Sequence, residues 1–161
     1  MLLGERPCGE RLCRMKLRIL VIDPNKSLRE LLQLYLERLG HSVRSSHEPR
    51  HCSLFCRLDD EQFCCPQVSA CADVVFMDML LPQSNTLNFF QLLRRRGCKT
   101  IDVNKTIMST GVSKQVEEMM AAFGCNHMRK PFRLDKVRSW VEECASRSHG
   151  VEPVPQDLVK S

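Results

Sequence analysis

Apolar residues along this chain follow two alternating rhythms. Leu17–Ile22 is a short, β-branched apolar run suited to a strand buried on both faces. Leu28, Leu31, Leu32, Tyr35, Leu36 and Leu39 then recur at the spacing of one helical face, and Gly40 stands where a helix C-terminus favours glycine. His41–Ser46 suits a second strand and Asp73–Met77 a third. A helix is expected over residues 85–96, with Leu87, Phe90 and Leu93 turned inward. Thr106–Ser109 gives a fourth strand, and Val116, Met119, Met120 and Phe123 the next helical stripe. His127–Arg129 gives a fifth strand, and Leu134, Val137, Val141 and Cys144 mark a last helix. Strands alternating with helices of this length imply βαβ units, an α/β fold and a parallel sheet with right-handed crossovers.

In such a sheet, ligands and chemistry gather at the carboxyl ends of the strands. Asp23 follows the first strand, Asp78 the third, Ser109 and Thr110 the fourth, and Lys130-Pro131 the fifth. Two carboxylates, a hydroxyl and an ammonium thus converge on one edge, a set able to hold a divalent cation and a phosphoryl group together. A small nucleotide-binding enzyme on a similar sheet would carry a glycine-rich loop after the first strand; Asp23-Pro24-Asn25-Lys26-Ser27 has no glycine.

Ile19-Leu20-Val21-Ile22-Asp23, Asp73-Val74-Val75-Phe76-Met77-Asp78-Met79-Leu80-Leu81-Pro82, a strand ending in a hydroxyl, and Lys130-Pro131-Phe132 come in that order. This pattern resembles the receiver domain of two-component response regulators over residues 16–144. The resemblance implies a flavodoxin-like, doubly wound, five-stranded parallel sheet, (βα)5, and a signalling module rather than an enzyme. It implies that Asp78 takes a phosphoryl group from the phosphohistidine of a sensor histidine kinase or phosphotransfer protein. Asp23, Asp78 and the backbone carbonyl of Leu80 would hold Mg²⁺, and Lys130 would pair with the new phosphate. The switch hydroxyl is Ser109 by its spacing to Lys130, or Thr110 by its following Gly111. His127 falls where the family keeps a rotamer switch, although a half-buried strand histidine reads equally well. Trp140 belongs either to the core or to a partner-binding face that meets a downstream protein target.

Two departures stand out. Where the family has two adjacent acids after the first strand, Asp23 is followed by Pro24, so one metal ligand is missing, and a weakened Mg²⁺ site follows. Proline also suits the first turn of the helix beginning there, and Asn25 or Glu48 is available to substitute. The second departure is the long connection of about residues 47–72, which holds His47, His51, Cys52, Cys56, Cys64, Cys65 and Cys71. Zinc or another soft metal (Cys52 and Cys56 having ligand spacing), redox sensing, and plain packing of reduced thiols are the three readings of this segment.

Composition adds bounds. The chain has 161 residues, 43% apolar and 27% charged, enough for one ordinary domain with a true core. Residues 1–15 read as an N-terminal extension, 16–145 as the domain and 146–161 as a flexible tail, which leaves no room for an output domain and suggests a stand-alone receiver. No apolar run approaches membrane-spanning length and the N-terminus lacks signal-peptide character, so a cytoplasmic protein without membrane contact is expected. The net charge of +5 is modest. Arg94-Arg95-Arg96 before Gly97 reads as a solvated helix end, and no direct nucleic-acid contact is expected. Ten cysteines without a signal peptide point to reduced thiols or a metal site rather than a disulfide framework. The alternative function is a degenerate receiver that acts without phosphorylation as an interaction or Cys/metal-sensing module.

Overall fold

The computed structural model describes residues 15–49, 62, 64–81 and 84–148. The elements in chain order are β1 (Arg18–Ile22), α1 (Lys26–Arg38), β2 (Ser42–Ser46), β3 (Val74–Asp78), a hairpin of β4 (Leu80–Leu81) and β5 (Ser84–Asn85), α2 (Thr86–Arg95), a 3-10 turn (Lys99–Asp102), β6 (Asn104–Ser109), α3 (Lys114–Ala122), β7 (Cys125–Arg129) and α4 (Leu134–Ser148). The five long strands form one parallel sheet in the order β2-β1-β3-β6-β7, the doubly wound arrangement expected. Four α-helices lie among the described residues. The segment between β2 and β3, where a fifth would fall, is described only in part.

The near-continuous apolar strands are explained by two cores. Alternate strand residues point to opposite faces. Leu20, Ile22, Val75, Met77 and Ile107 pack on one side with Leu87, Phe90 and Leu93 of α2 and Met120 of α3. Ile19, Val21, Val74, Phe76, Met108 and Met128 pack on the other with Leu32 and Leu36 of α1 and Val137, Val141 and Cys144 of α4. Two positions depart from the expected stripes. Leu31 is 48% exposed and Met119 38% exposed, because each lies on the flank of its helix rather than over the sheet. Gly40 has φ +98°, the left-handed conformation that ends α1 at low cost in glycine.

The helices are capped as the sequence suits: Asn25 Oδ1 accepts from Leu28 N, Asn85 Oδ1 from Asn88 N and Ser113 Oγ from Val116 N. Helix α4 continues to Ser148, into the stretch expected as tail. The extension at residues 1–14 and residues 149–161 lie outside the described residues.

Candidate functional site

The carboxyl edge of the sheet brings together Asp23 from the end of β1, Asp78 from the end of β3 and Lys130 from just past β7. Lys130 Nζ donates at 2.7 Å to Asp23 Oδ2 and at 2.7 Å to Asp78 Oδ1. Both carboxylates therefore flank one ammonium, with Asp23 only 1% exposed. The other two carboxylate oxygens are also engaged: Asp23 Oδ1 accepts from Asn25 N at 2.7 Å, and Asp78 Oδ2 from Leu80 N at 3.0 Å. Burial alone would lower the Lys130 pKa, but its hydrogen bonds to Asp23 and Asp78 outweigh that and hold it above the ordinary lysine value.

Backbone locks surround this centre. Arg29 Nη1 donates to the carbonyls of Asp23 (2.7 Å) and Pro24 (3.2 Å), fixing the turn after β1. Thr86, fully buried, donates its hydroxyl to the Asp78 carbonyl, and its backbone N–H donates to Met79 O at 3.0 Å. The β4–β5 hairpin, pairing Leu80 with Asn85, thereby folds back against the end of β3. Neither Arg29 nor Thr86 is prominent in the sequence, because each acts through backbone atoms that only the folded turn brings near.

The two hydroxyl candidates are placed differently. Ser109 ends β6 with a buried side chain whose Oγ lies 2.7 Å from His127 Nε2, and its carbonyl accepts from Lys130 N at 2.7 Å. Thr110 is exposed. The register pairs Asp78 with Met108, so Ser109 stands one step beyond the phosphoacceptor candidate. His127 is half-buried on β7. Trp140 packs against the α1/α4 core with the Arg147 guanidinium 5.1 Å from its ring, and its buried indole N–H has no hydrogen-bond partner among the described residues.

The Asn25 side chain caps α1, and the Glu48 carboxylate lies 3.6 Å from His47 Nε2. The donors at hand are hard oxygens already gathered around a cation, the set Mg²⁺ takes. The residues present therefore fit that ion, with Pro24 contributing no carboxylate. Of the cysteine-rich segment, His51, Cys52 and Cys56 lie outside the described residues. Cys64 is exposed, Cys65 and Cys71 are half-buried, and all three are free thiols. Among the described residues, no three His, Cys, Asp or Glu side chains gather as a metal-holding group, which leaves zinc without support. Pro82 is likewise outside the described residues.

No family model matches the chain. It is 32% identical over 80 residues to the alkaline phosphatase synthesis transcriptional regulatory protein SphR of Synechococcus elongatus, covering 50% of this chain and 30% of that protein. It is 25% identical over 146 residues to a transcriptional regulatory protein of Picosynechococcus sp., covering 90% of this chain and 55% of the relative. The chain thus spans about half or less of the length of these relatives. Among solved structures it resembles the receiver domain of Francisella response regulator 1452 (19% identity, TM-score 0.64, 83% of this chain and 99% of that one). It also resembles the chemotaxis protein CheY4 of Vibrio cholerae (18% identity, TM-score 0.63, 81% and 99%). The fold is that of the response-regulator receiver domains. No helix among the described residues is long and apolar enough to cross a membrane.

Proposed function

We propose that this receiver-fold chain is a phospho-accepting switch of two-component signalling, with Asp78 as the acceptor and a protein-contact surface as its output. The observation that carries the reading is the Lys130 ammonium bonded to both Asp23 and Asp78 at the carboxyl edge of the sheet. An Asp78 carboxylate oxygen attacks the phosphorus of a phosphohistidine in a histidine kinase or phosphotransfer protein. The P–N bond breaks, the imidazole leaves, and an aspartyl phosphate results. Asp23, Asp78 and the Leu80 carbonyl would hold Mg²⁺, which would offset charge on the transferring group. Lys130 exchanges its bond to Asp78 Oδ1 for a phosphate oxygen. Ser109 exchanges His127 for another, which frees the imidazole to change its packing on β7. The readout follows on the face of α3, β7 and α4, biasing two arrangements already accessible to it. Cytoplasmic residence, and action as a stand-alone unit without catalysis of its own, belong to the same reading.

A second reading has its own support. Pro24 supplies no acid, and the Asn25 side chain is spent on a helix cap, so a receiver working without phosphorylation is the alternative. One experiment separates the two. Wild type and Asp78→Asn are incubated with Mg²⁺ and a small phosphodonor and weighed as intact proteins. A gain of one phosphoryl group in the wild type alone supports the switch. No gain at saturating Mg²⁺ supports the alternative.

A further inference from the structure

Beside the acidic centre, Arg129, Lys130, Pro131, Phe132, Arg133 and Lys136 line an open cleft of about 330 Å³. It is built from one short run of chain between the end of β7 and the first turn of α4. Besides Lys130, three cations stand there, Arg129, Arg133 and Lys136, against one carboxylate of the same run, Asp135, whose Oδ2 lies 3.1 Å from Arg133 Nη2. Lys130 turns its charge to Asp23 and Asp78, whereas Arg129, Arg133 and Lys136 are exposed. Arg133 and Lys136 also stand at the N-terminal end of α4. The helix dipole is positive there and disfavours cations. Local stability does not account for this clustering of like charge, whereas an anion seated in the cleft would relieve it.

We infer that this cleft docks an acidic, Asp/Glu-rich segment of a partner protein. Half-buried Phe132 and exposed Pro131 give such a segment an apolar floor between the cations. A nucleic acid fits less well, because a phosphate backbone asks for a continuous basic track. The other basic cluster, Arg94-Arg95-Arg96 and Lys99, spans the last turn of α2 and the chain just after it, at the amino ends of the parallel strands, so the two clusters form no single stripe. The inference goes beyond the phospho-switch: of the residues at the acidic centre only Lys130 lines the cleft, and its charge is taken up by Asp23 and Asp78, so Arg129, Arg133 and Lys136 carry the docking.

The test uses the full chain and a fluorescein-labelled Glu/Asp-rich peptide, followed by anisotropy at low and moderate salt. Its Gln/Asn counterpart, inorganic phosphate and a short DNA duplex serve as competitors. The acidic peptide binds, with affinity falling as salt rises. Arg133→Glu/Lys136→Glu weakens it about tenfold or more, and the milder Arg133→Gln/Lys136→Gln weakens it less. Arg95→Glu/Lys99→Glu leaves it within about twofold. Thermal melts of each variant check folding. Equal loss in the Arg95/Lys99 variant overturns the proposal in favour of unspecific charge attraction. Unchanged binding in the Arg133/Lys136 variants, equal affinity for the neutral peptide, or better competition by phosphate or DNA also overturns it. Failure of Asp78 to take a phosphoryl group leaves this result untouched.

Discussion

Lys130→Met is the most direct probe of the acidic centre. Methionine keeps the length and apolar stem of lysine but removes the cation. Asp23, 1% exposed, then keeps only the Asn25 N–H on Oδ1, and Asp78 keeps only the Leu80 N–H on Oδ2. Removing one partner from a buried ion pair costs about 3–5 kcal/mol. The Lys130 and Asp78 side chains are 21% and 14% exposed, and water screening there lowers the expected loss to about 2–3 kcal/mol. Urea unfolding followed by the fluorescence of Trp140, the one tryptophan, measures it. Added Mg²⁺ should restore more stability to the variant than to wild type. Lys130 is held above the ordinary lysine value, so its contribution is complete below that value and fades as pH rises through the elevated one. A loss below about 0.5 kcal/mol, or a recovery by Mg²⁺ no greater in the variant than in wild type, would refute the ion-pair account, since lost packing is not restored by a cation.

Three further outcomes are expected. Pro24→Asp should tighten Mg²⁺ binding about tenfold in a calorimetric titration and speed phosphorylation of Asp78; no change would mean that another group already serves. Thr86→Val removes the buried donor to the Asp78 carbonyl at constant shape, so it should cost about 1–3 kcal/mol in urea unfolding, with Thr86→Ser recovering most of the loss. Burial pushes the Cys125 thiol up to about 11 and the Cys144 thiol up to about 12, so iodoacetamide near neutral pH should label exposed Cys64 first and these two only on unfolding.

The sequence and the folded chain agree where the physics is local. Leu20 and Ile22 face one core and Ile19 and Val21 the other; a run apolar at every position is what burial on both faces demands, and it is readable without coordinates. Helix faces are less sharply written. Leu31 and Met119 match the period, but periodicity does not separate the centre of a stripe from its flank, and the neighbouring helix and sheet decide which is covered. Asp23, Asp78 and Lys130 were legible because each sits at a strand end and strand ends share an edge. Arg29 and Thr86 were not, since their partners are carbonyls whose direction depends on the closed turn. Buried Lys105 is similar: it donates to the carbonyls of Ile101 and Val103, a staple across the 3-10 turn that no spacing rule anticipates. Ser109 and Thr110 differ in burial and in the contact of Ser109 Oγ with His127 on the neighbouring strand, non-local facts that spacing does not give.

Pro24 bears on more than a missing ligand. Every carboxylate oxygen of Asp23 and Asp78 already accepts a protein donor, and the two negative charges face one ammonium that bonds to both. Two carboxylates against one ammonium already leave one negative charge in surplus, and a second acid after β1 would double that surplus and draw a divalent cation more strongly. With proline there, the centre is close to closed on itself. A divalent cation gains less by entering, and an arriving phosphoryl group must first separate Lys130 from Asp78 Oδ1. The Arg29 clamp on the Asp23 and Pro24 carbonyls resists any movement of the turn toward a further ligand. The substitution therefore biases the chain toward its lysine-closed arrangement, so phosphorylation, where it occurs, must draw on the new Lys130–phosphate and Ser109–phosphate contacts to open it. On the proposed reading, the energetic threshold of the switch then lies in the β1–α1 turn rather than on the output face, which makes that turn the first place to alter its response.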